Sequence, residues 1–275
     1  MRRRMGYTLV ELLVVICVIG LLMGVLVPVL GDVGVSSRRI QGQANLRTMT
    51  LAARSWSLEH LGSLPPALLI GTDEDSTSGD VRCWDWWTRT QDPSFVQPGL
   101  LWTYTGHPDK VLQCPAYAGE DNWQGPARPS GYNYNVTFIA AMTPLQGVAG
   151  QGCWDLLVPK PALAEEGEPP VAVDLALSQC RRSGQVALFG EGGYRDGANK
   201  FMRSPLHELE IAYAGAQAFR HGGMSNVGFI DGHVEAMRNP RLGLLHDQLP
   251  EGMTTLLDHP RNGFLSDDDS AYDPR

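Results

Sequence analysis

The side chains of this sequence that suit chemistry lie in separate stretches. Glu11 is a lone carboxylate inside the apolar run from Tyr7 to Leu30. Cys83, Cys114, Cys153 and Cys180 are spread through the middle of the chain, apart from Cys17, which falls in the apolar run. His221, Asp231 and His233 sit close together in FRHGGMSNVGFIDGHVEAM. Asp73, Asp75 and Asp80 cluster in GTDEDSTSGD, and Asp174 and Glu191 fall near the ends of short apolar runs. Two imidazoles and a carboxylate suit metal ligation or acid–base work. Clustered aspartates suit a hard cation, and paired acids suit glycoside hydrolysis.

Spacing narrows these options. The gaps between the cysteines are far longer than the C-x2–4-C pairs of a compact zinc site. Two disulfides are expected instead, sequentially as Cys83–Cys114 and Cys153–Cys180 among three possible connectivities, with free buried thiols as the alternative. The aspartate run lacks an EF-hand's glycine at the sixth position and its glutamate at the twelfth, so a solvated loop is expected, with calcium as the alternative. Asp231-Gly232 stands between the alternating apolar residues Val227, Phe229 and Val234. That is the signature of a hairpin with a type I′ turn, which needs positive φ at both central residues. His221 precedes Gly222-Gly223 and can brace the same hairpin, so His221, Asp231 and Gly232 are expected to be structural. No G-x-S-x-G elbow, H-E-x-x-H pair or phosphate-binding glycine loop is present, and Asp174 and Glu191 are too loosely placed for a glycosidase pair. The reading is therefore not an enzyme, with no catalytic residue, resident metal or cofactor expected.

Glu11 is harder to absorb. The Tyr7–Leu30 run would span about 36 Å as a helix at ~1.5 Å per residue, enough for a bilayer core. Arg2, Arg3 and Arg4 precede it, which by the positive-inside rule predicts a cytoplasmic N-terminus and a head outside. A secretory signal peptide would have a shorter apolar stretch followed by a small-x-small cleavage site. A plain anchor accounts for the length but not for a carboxylate, which is unfavourable in a membrane unless it has a partner.

The residues Gly6-Tyr7-Thr8-Leu9-Val10-Glu11 resemble the type IV prepilin processing motif, with tyrosine where that family more often has phenylalanine. The resemblance implies cleavage after Gly6 by a prepilin peptidase, methylation of the new N-terminus at Tyr7, and pairing of Glu11 with a neighbouring subunit's terminal amine during assembly. Pro28 is similar in placement to the prolines of pilin-type helices, and its missing N–H predicts a kink or local melting. Gly20 and Gly24 give a G-x-x-x-G spacing that allows close helix contact. Farther on, LQCPAYAG and SGYNYN resemble the C-P and Y-x-x-N stretches of planctomycete pilin-like proteins. His221, nine residues, then Asp231-Gly232 resembles the H-x9-D-G pattern near the end of such chains.

The rest of the chain must hold these elements in place. In SSRRIQGQANLRTMTLAARSWSLEHLG, Leu46, Met49, Ala53 and Trp56 recur at helical spacing and predict a stripe docked on the head, ending at Gly62. Val171–Leu177 and Val186–Phe189 read as strands, and the indoles from Trp84 to Trp123 as core. The 31 glycines and 19 prolines favour a loop-rich head. A net charge of -8, carried despite the basic leader, excludes a phosphate-binding stripe, so no nucleic-acid partner is expected.

The expected fold is α+β: a long N-terminal helix on a small antiparallel sheet. Residues 1–6 form a cleaved basic leader, 7–30 a transmembrane helix, 31–62 an amphipathic helix, 63–265 an extracytoplasmic head and 266–275 a disordered acidic tail. The implied role is a filament subunit of a type IV pilus or a type II secretion pseudopilus in the inner membrane, with an assembly platform and other pilin-like subunits as partners. The alternative is a tethered binding module for polysaccharide or an envelope protein that never polymerises.

Overall fold

A computed structural model describes residues 8–71, 80–89, 92, 94–106, 111–117, 131–136, 138–139, 142–144, 177, 180–194, 197–205, 215–238 and 261–274. Helix α1 (Leu9–Glu59) is 51 residues long. Its start is fixed by a capping box: the Thr8 hydroxyl accepts from the Glu11 N–H at 3.3 Å, and the Glu11 carboxylate accepts from the Thr8 N–H at 2.7 Å. The helix continues through Pro28 without melting. One proline removes a single backbone donor, and the bonds of the flanking turns carry the helix across it. It stops at Glu59, before the expected Gly62, because Leu61 adopts a left-handed φ of 56° and the Gly62 N–H bonds back to Ser57 O at 2.8 Å.

The two halves of α1 differ. Leu9–Val27 is long and apolar enough to cross a membrane, and none of it is buried by the rest of the chain. From Arg39 onward the helix packs on the head. Leu46, Met49 and Ala53 are fully buried and Trp56 is half-buried, as the stripe predicts.

The head is α+β and consists of two sheets where one small sheet was expected. The first runs β4-β3-β2-β1-β6, built from β1 (Leu68–Gly71), β2 (Asp80–Cys83), β3 (Trp86–Arg89), β4 (Val96–Pro98) and β6 (Met142–Pro144). The second runs β11-β10-β7-β5-β8, built from β5 (Tyr132–Asn135), β7 (Ala187–Gly193), β8 (Phe201–Met202), β10 (Met224–Phe229) and β11 (Val234–Arg238). The short strand β9 (Ala216–Ala218) joins β7 to β12 (Asn262–Gly263). Among the named strands, pairing is antiparallel except for β1 with β6 and β5 with β8. A four-residue helix, α2 (Trp102–Thr105), follows β4.

Aromatic packing joins the sheets. Trp84 lies between β2 and β3, with its ring 5.4 Å from Phe189 and 6.1 Å from Tyr134 of the second sheet. Trp84 and Trp86 are buried, in keeping with their reading as core; Trp123 lies outside the described residues. A buried Lys200–Asp85 ion pair at 3.1 Å adds a second link.

Two expectations are corrected. No disulfide joins Cys83 to Cys114. Cys83 ends β2 in the first sheet, whereas the Cys114 Sγ lies 3.6 Å from Glu191 of the second. Cys180 likewise keeps its thiol, and Cys153, its expected partner, lies outside the described residues. The acidic tail is not a loose end. Asp269–Ala271 forms a 3-10 turn capped by Asp268, and Tyr272 is fully buried beside Val227, Phe229 and Phe264. The Tyr272 hydroxyl accepts from the Leu265 N–H at 2.9 Å, its carbonyl accepts from Asn135 Nδ2 at 2.9 Å, and Pro274 O accepts from the Arg181 N–H. One aromatic ring outweighs the acidic composition of its neighbours.

Burial of that ring gives a measurable expectation. Tyr272→Ala should destabilise the detergent-solubilised protein by about 3–5 kcal/mol in denaturant unfolding. A change within ~0.5 kcal/mol would restore the disordered tail.

Candidate functional site

The residues singled out from sequence separate into two places. Glu11 sits in the first turn of α1, bonded to Thr8. Gly6 and Tyr7 lie outside the described residues, as do Asp73, Asp75 and Asp174. Asp80 is part of β2, paired with Gly71 and Arg89. The other place is the face of the second sheet that meets α1.

His221 and Asp231 do not converge on one centre; they bracket β10. The turn with φ positive at both central residues is Gly222-Gly223, at 62° and 80°, closed by His221 N–H to Met224 O at 3.0 Å. The Asp231-Gly232 corner is a longer loop, Ile230–Gly232, in which only Gly232 has positive φ, at 97°. Phe229 and His233 close it through a 2.9 Å bond from Phe229 N–H to His233 O. The type I′ chemistry expected at Asp-Gly is therefore found at Gly-Gly, where neither residue has a Cβ to oppose it. Asp231 shapes its corner by accepting from both the backbone N–H and Nδ1 of His233, at 3.0 and 2.6 Å. Partial burial would raise the Asp231 carboxyl, but the bonds from His233 and the Arg54 charge outweigh it and hold it below the usual carboxylate range.

Both ends of the pattern are tied to α1. Arg54 of α1 donates to Asp231 O. At the other end, Asn226 Nδ2 donates to Arg39 O at 3.2 Å. Between them, a Cβ added at Gly228 would lie 2.6 Å from Thr50 Cγ2. The strand approaches the helix so closely because neither a side chain nor its hydrogens stand in the way.

The His221 end holds a buried polar cluster. Glu191 on β7 is fully buried, and its Oε1 accepts from His221 Nε2 at 2.7 Å, Asn226 Nδ2 at 3.1 Å and Cys114 Sγ at 3.6 Å. Its Oε2 accepts from the Asn226 N–H at 3.2 Å. Tyr132, paired with Glu191 across β5 and β7, accepts from Asn45 of α1 at 3.2 Å. Burial, reinforced by the Glu191 charge, pushes the Cys114 thiol up to about 12 and makes it an inert thiol rather than a nucleophile. Gly42 of α1 roofs the cluster: a Cβ there would lie 2.9 Å from Asn226 Nδ2 and 3.3 Å from Glu191 Oε1. Cys114, Glu191 and His221 carry donor atoms within 4.8 Å of one another, a set their wide separation in sequence had concealed.

Comparison of the chain with protein-family models, with curated proteins and with solved structures finds no match. The functional reading therefore rests on the chain's own residues. Three stretches that the sequence reading treated separately meet at Glu191: Cys114 of the C-P stretch, Tyr132 of the Y-x-x-N stretch and His221 of the H-x9-D-G pattern. Glu191 was visible only as an acid at a strand end. Thr8, part of the Gly6–Glu11 motif, has a further role as helix cap, which T-x-x-E before an apolar run signals.

The close approach at Gly228 can be tested by a mutant cycle. Gly228→Ala should cost about 1–3 kcal/mol of stability by overpacking. Thr50→Ser, which removes Cγ2 and keeps the hydroxyl that donates to Arg47 O, should recover part of that loss in the double mutant. Additive losses would show that the helix and strand do not meet there.

Proposed function

We propose that this chain is a pilin-like filament subunit, cut after Gly6, methylated on Tyr7 and assembled through α1 into a type IV pilus or a type II secretion pseudopilus. The observation that carries the reading is the division of α1 into an uncovered apolar half with one carboxylate and a half fastened to a folded head. Leu9–Val27 meets the length and composition of a membrane span. A signal sequence meets the same description, so the discriminating feature is Glu11.

In the lone chain Glu11 satisfies the N-terminus of its own helix. On this reading assembly exchanges that partner for the terminal amine of a neighbouring subunit in low dielectric. Breaking such a pair by removing one partner costs about 3–5 kcal/mol. The apolar faces then pack on one another while the docked half presents the head outward. The basic residues Arg2–Arg4 keep the leader cytoplasmic and place the head outside. The prepilin peptidase, an assembly platform in the cytoplasmic membrane and other pilin-like subunits are the partners this requires.

Glu11→Gln is the sharp test, because glutamine at this position still completes the capping box but carries no charge. Intact mass of the wild-type protein from its native membrane should begin at N-methylated Tyr7. The variant should be processed alike yet be absent from the sheared filament fraction. A chain beginning at Met1 or trimmed beyond Leu30 would remove the pilin reading. Normal processing with no filament in the wild type would favour the tethered binding module.

A further inference from the structure

Glu191 Oε1 is an unusual acceptor. An imidazole, an amide and a thiol all approach this one oxygen, inside the protein and beneath the backbone of α1. A thiol, an imidazole nitrogen and a carboxylate oxygen form a donor set for a borderline-soft divalent ion, zinc above all. We propose that Cys114, Glu191 and His221 bind a structural Zn²⁺ that ties the Cys114 stretch and the His221 turn to β7 beneath α1.

The distances support this assignment. Tetrahedral ligands at about 2.0–2.1 Å from zinc stand roughly 3.3 Å apart, with pairs that include sulfur somewhat wider. The Cys114–Glu191 separation of 3.6 Å already fits. The His221–Glu191 pair at 2.7 Å has to open by roughly 0.6 Å, a rotamer adjustment rather than a backbone movement.

A fourth donor is at hand in Asn226. Its Nδ2 lies 3.1 Å from Glu191 Oε1, while its Oδ1 is buried without a hydrogen-bond partner. Exchanging the amide oxygen and nitrogen, which are interchangeable in shape, puts that oxygen beside Glu191 at ligand spacing and gives up the Nδ2 bond to Arg39 O, so the metal and that bond are alternative partners of Asn226. The stranded acceptor then becomes a ligand. Gly42 fits the same picture, since a side chain there would press on Asn226 and Glu191. Complete burial of all three ligand residues leaves no open position for substrate, so the role is structural. Binding releases the thiol proton to solvent, while His221 binds as the neutral imidazole through Nε2 with its ring proton on Nδ1.

The test uses the full chain in detergent, without a polyhistidine tag. Elemental analysis after purification from zinc-supplemented medium should give about one Zn²⁺ per chain. Titration of metal-stripped protein with Co²⁺ should give a thiolate charge-transfer band and the intense visible bands of a tetrahedral site. Cys114→Ser should abolish the thiolate band and lower zinc content about tenfold or more, while Cys180→Ser should leave both unchanged. Should Cys114→Ser fail to fold, the wild-type Co²⁺ spectrum with Cys180→Ser as control decides alone. Less than about one tenth of an equivalent of zinc together with no thiolate band would overturn the site. Metal retained undiminished in folded Cys114→Ser would also overturn it, because the metal would then lie elsewhere.

Discussion

The structure depends on how closely α1 approaches the second sheet. A helix half of which buries nothing cannot orient itself, so its direction is set by the half that docks. That docking is a polar seam flanked by apolar packing. Leu46, Met49 and Ala53 supply the burial, but sliding along the axis costs apolar contacts little. Register comes from directional contacts: Asn226 on Arg39 O at one end, Arg54 on Asp231 O at the other, and Thr50 against Gly228 between them. Arg39 to Arg54 covers about 22 Å of helix axis at ~1.5 Å per residue and Asn226 to Asp231 about 17 Å of strand at ~3.3 Å, a difference that the long Arg54 side chain spans.

Beneath the helix the interior carries buried polar side chains as well as apolar ones. Besides the Glu191 cluster, Asn133 Nδ2 donates to Ala216 O, Gln217 Nε2 donates to Asn133 Oδ1, and Asn135 Nδ2 bridges Ala187 O and Tyr272 O. Such groups add little net stability when satisfied and cost far more when they are not. What they add is specificity. Asn135 holds β7 and the C-terminal tail at once, so a tail bound in another register would strand its amide. The second sheet is thereby covered on both faces, by α1 on one and by the Tyr272 segment on the other.

What could be read from the sequence divides along the same physical line. Periodic signals were legible. The apolar N-terminal run, the Leu46–Met49–Ala53 stripe and the alternation of β10 each follow from a local repeat against a single surface. Pairings between distant residues were not. Nothing in the spacing of Cys114, Glu191 and His221 announces that they meet, because β5, β7 and β10 become neighbours only through sheet topology. An exported domain's composition suggests paired cysteines, yet Cys83 ends a strand of the first sheet while Cys114 lies outside the strands and packs on Glu191 of the second. The tail's charge predicts disorder, while one buried tyrosine decides its fate. Turn chemistry was legible in kind but not in place: the sequence offered Gly-Gly and Asp-Gly, and the tighter geometry fell to the pair without side chains.

The H-x9-D-G spacing has a geometric origin in this chain. The nine intervening residues comprise the Gly222-Gly223 turn, the six residues of β10 and Ile230. The pattern therefore measures one strand together with the turn that starts it. Its parity matters as much as its length. Asn226 and Gly228 face α1, while Val227 and Phe229 face the Tyr272 side. Adding or removing one residue would exchange those faces and put Val227 or Phe229 where Gly228 admits Thr50. It would also part His221 from Glu191 or Asp231 from Arg54, since both contacts depend on the same strand. A histidine and an aspartate so placed need not act on a common substrate. Their shared task is to fix the two ends of a strand against which the helix packs.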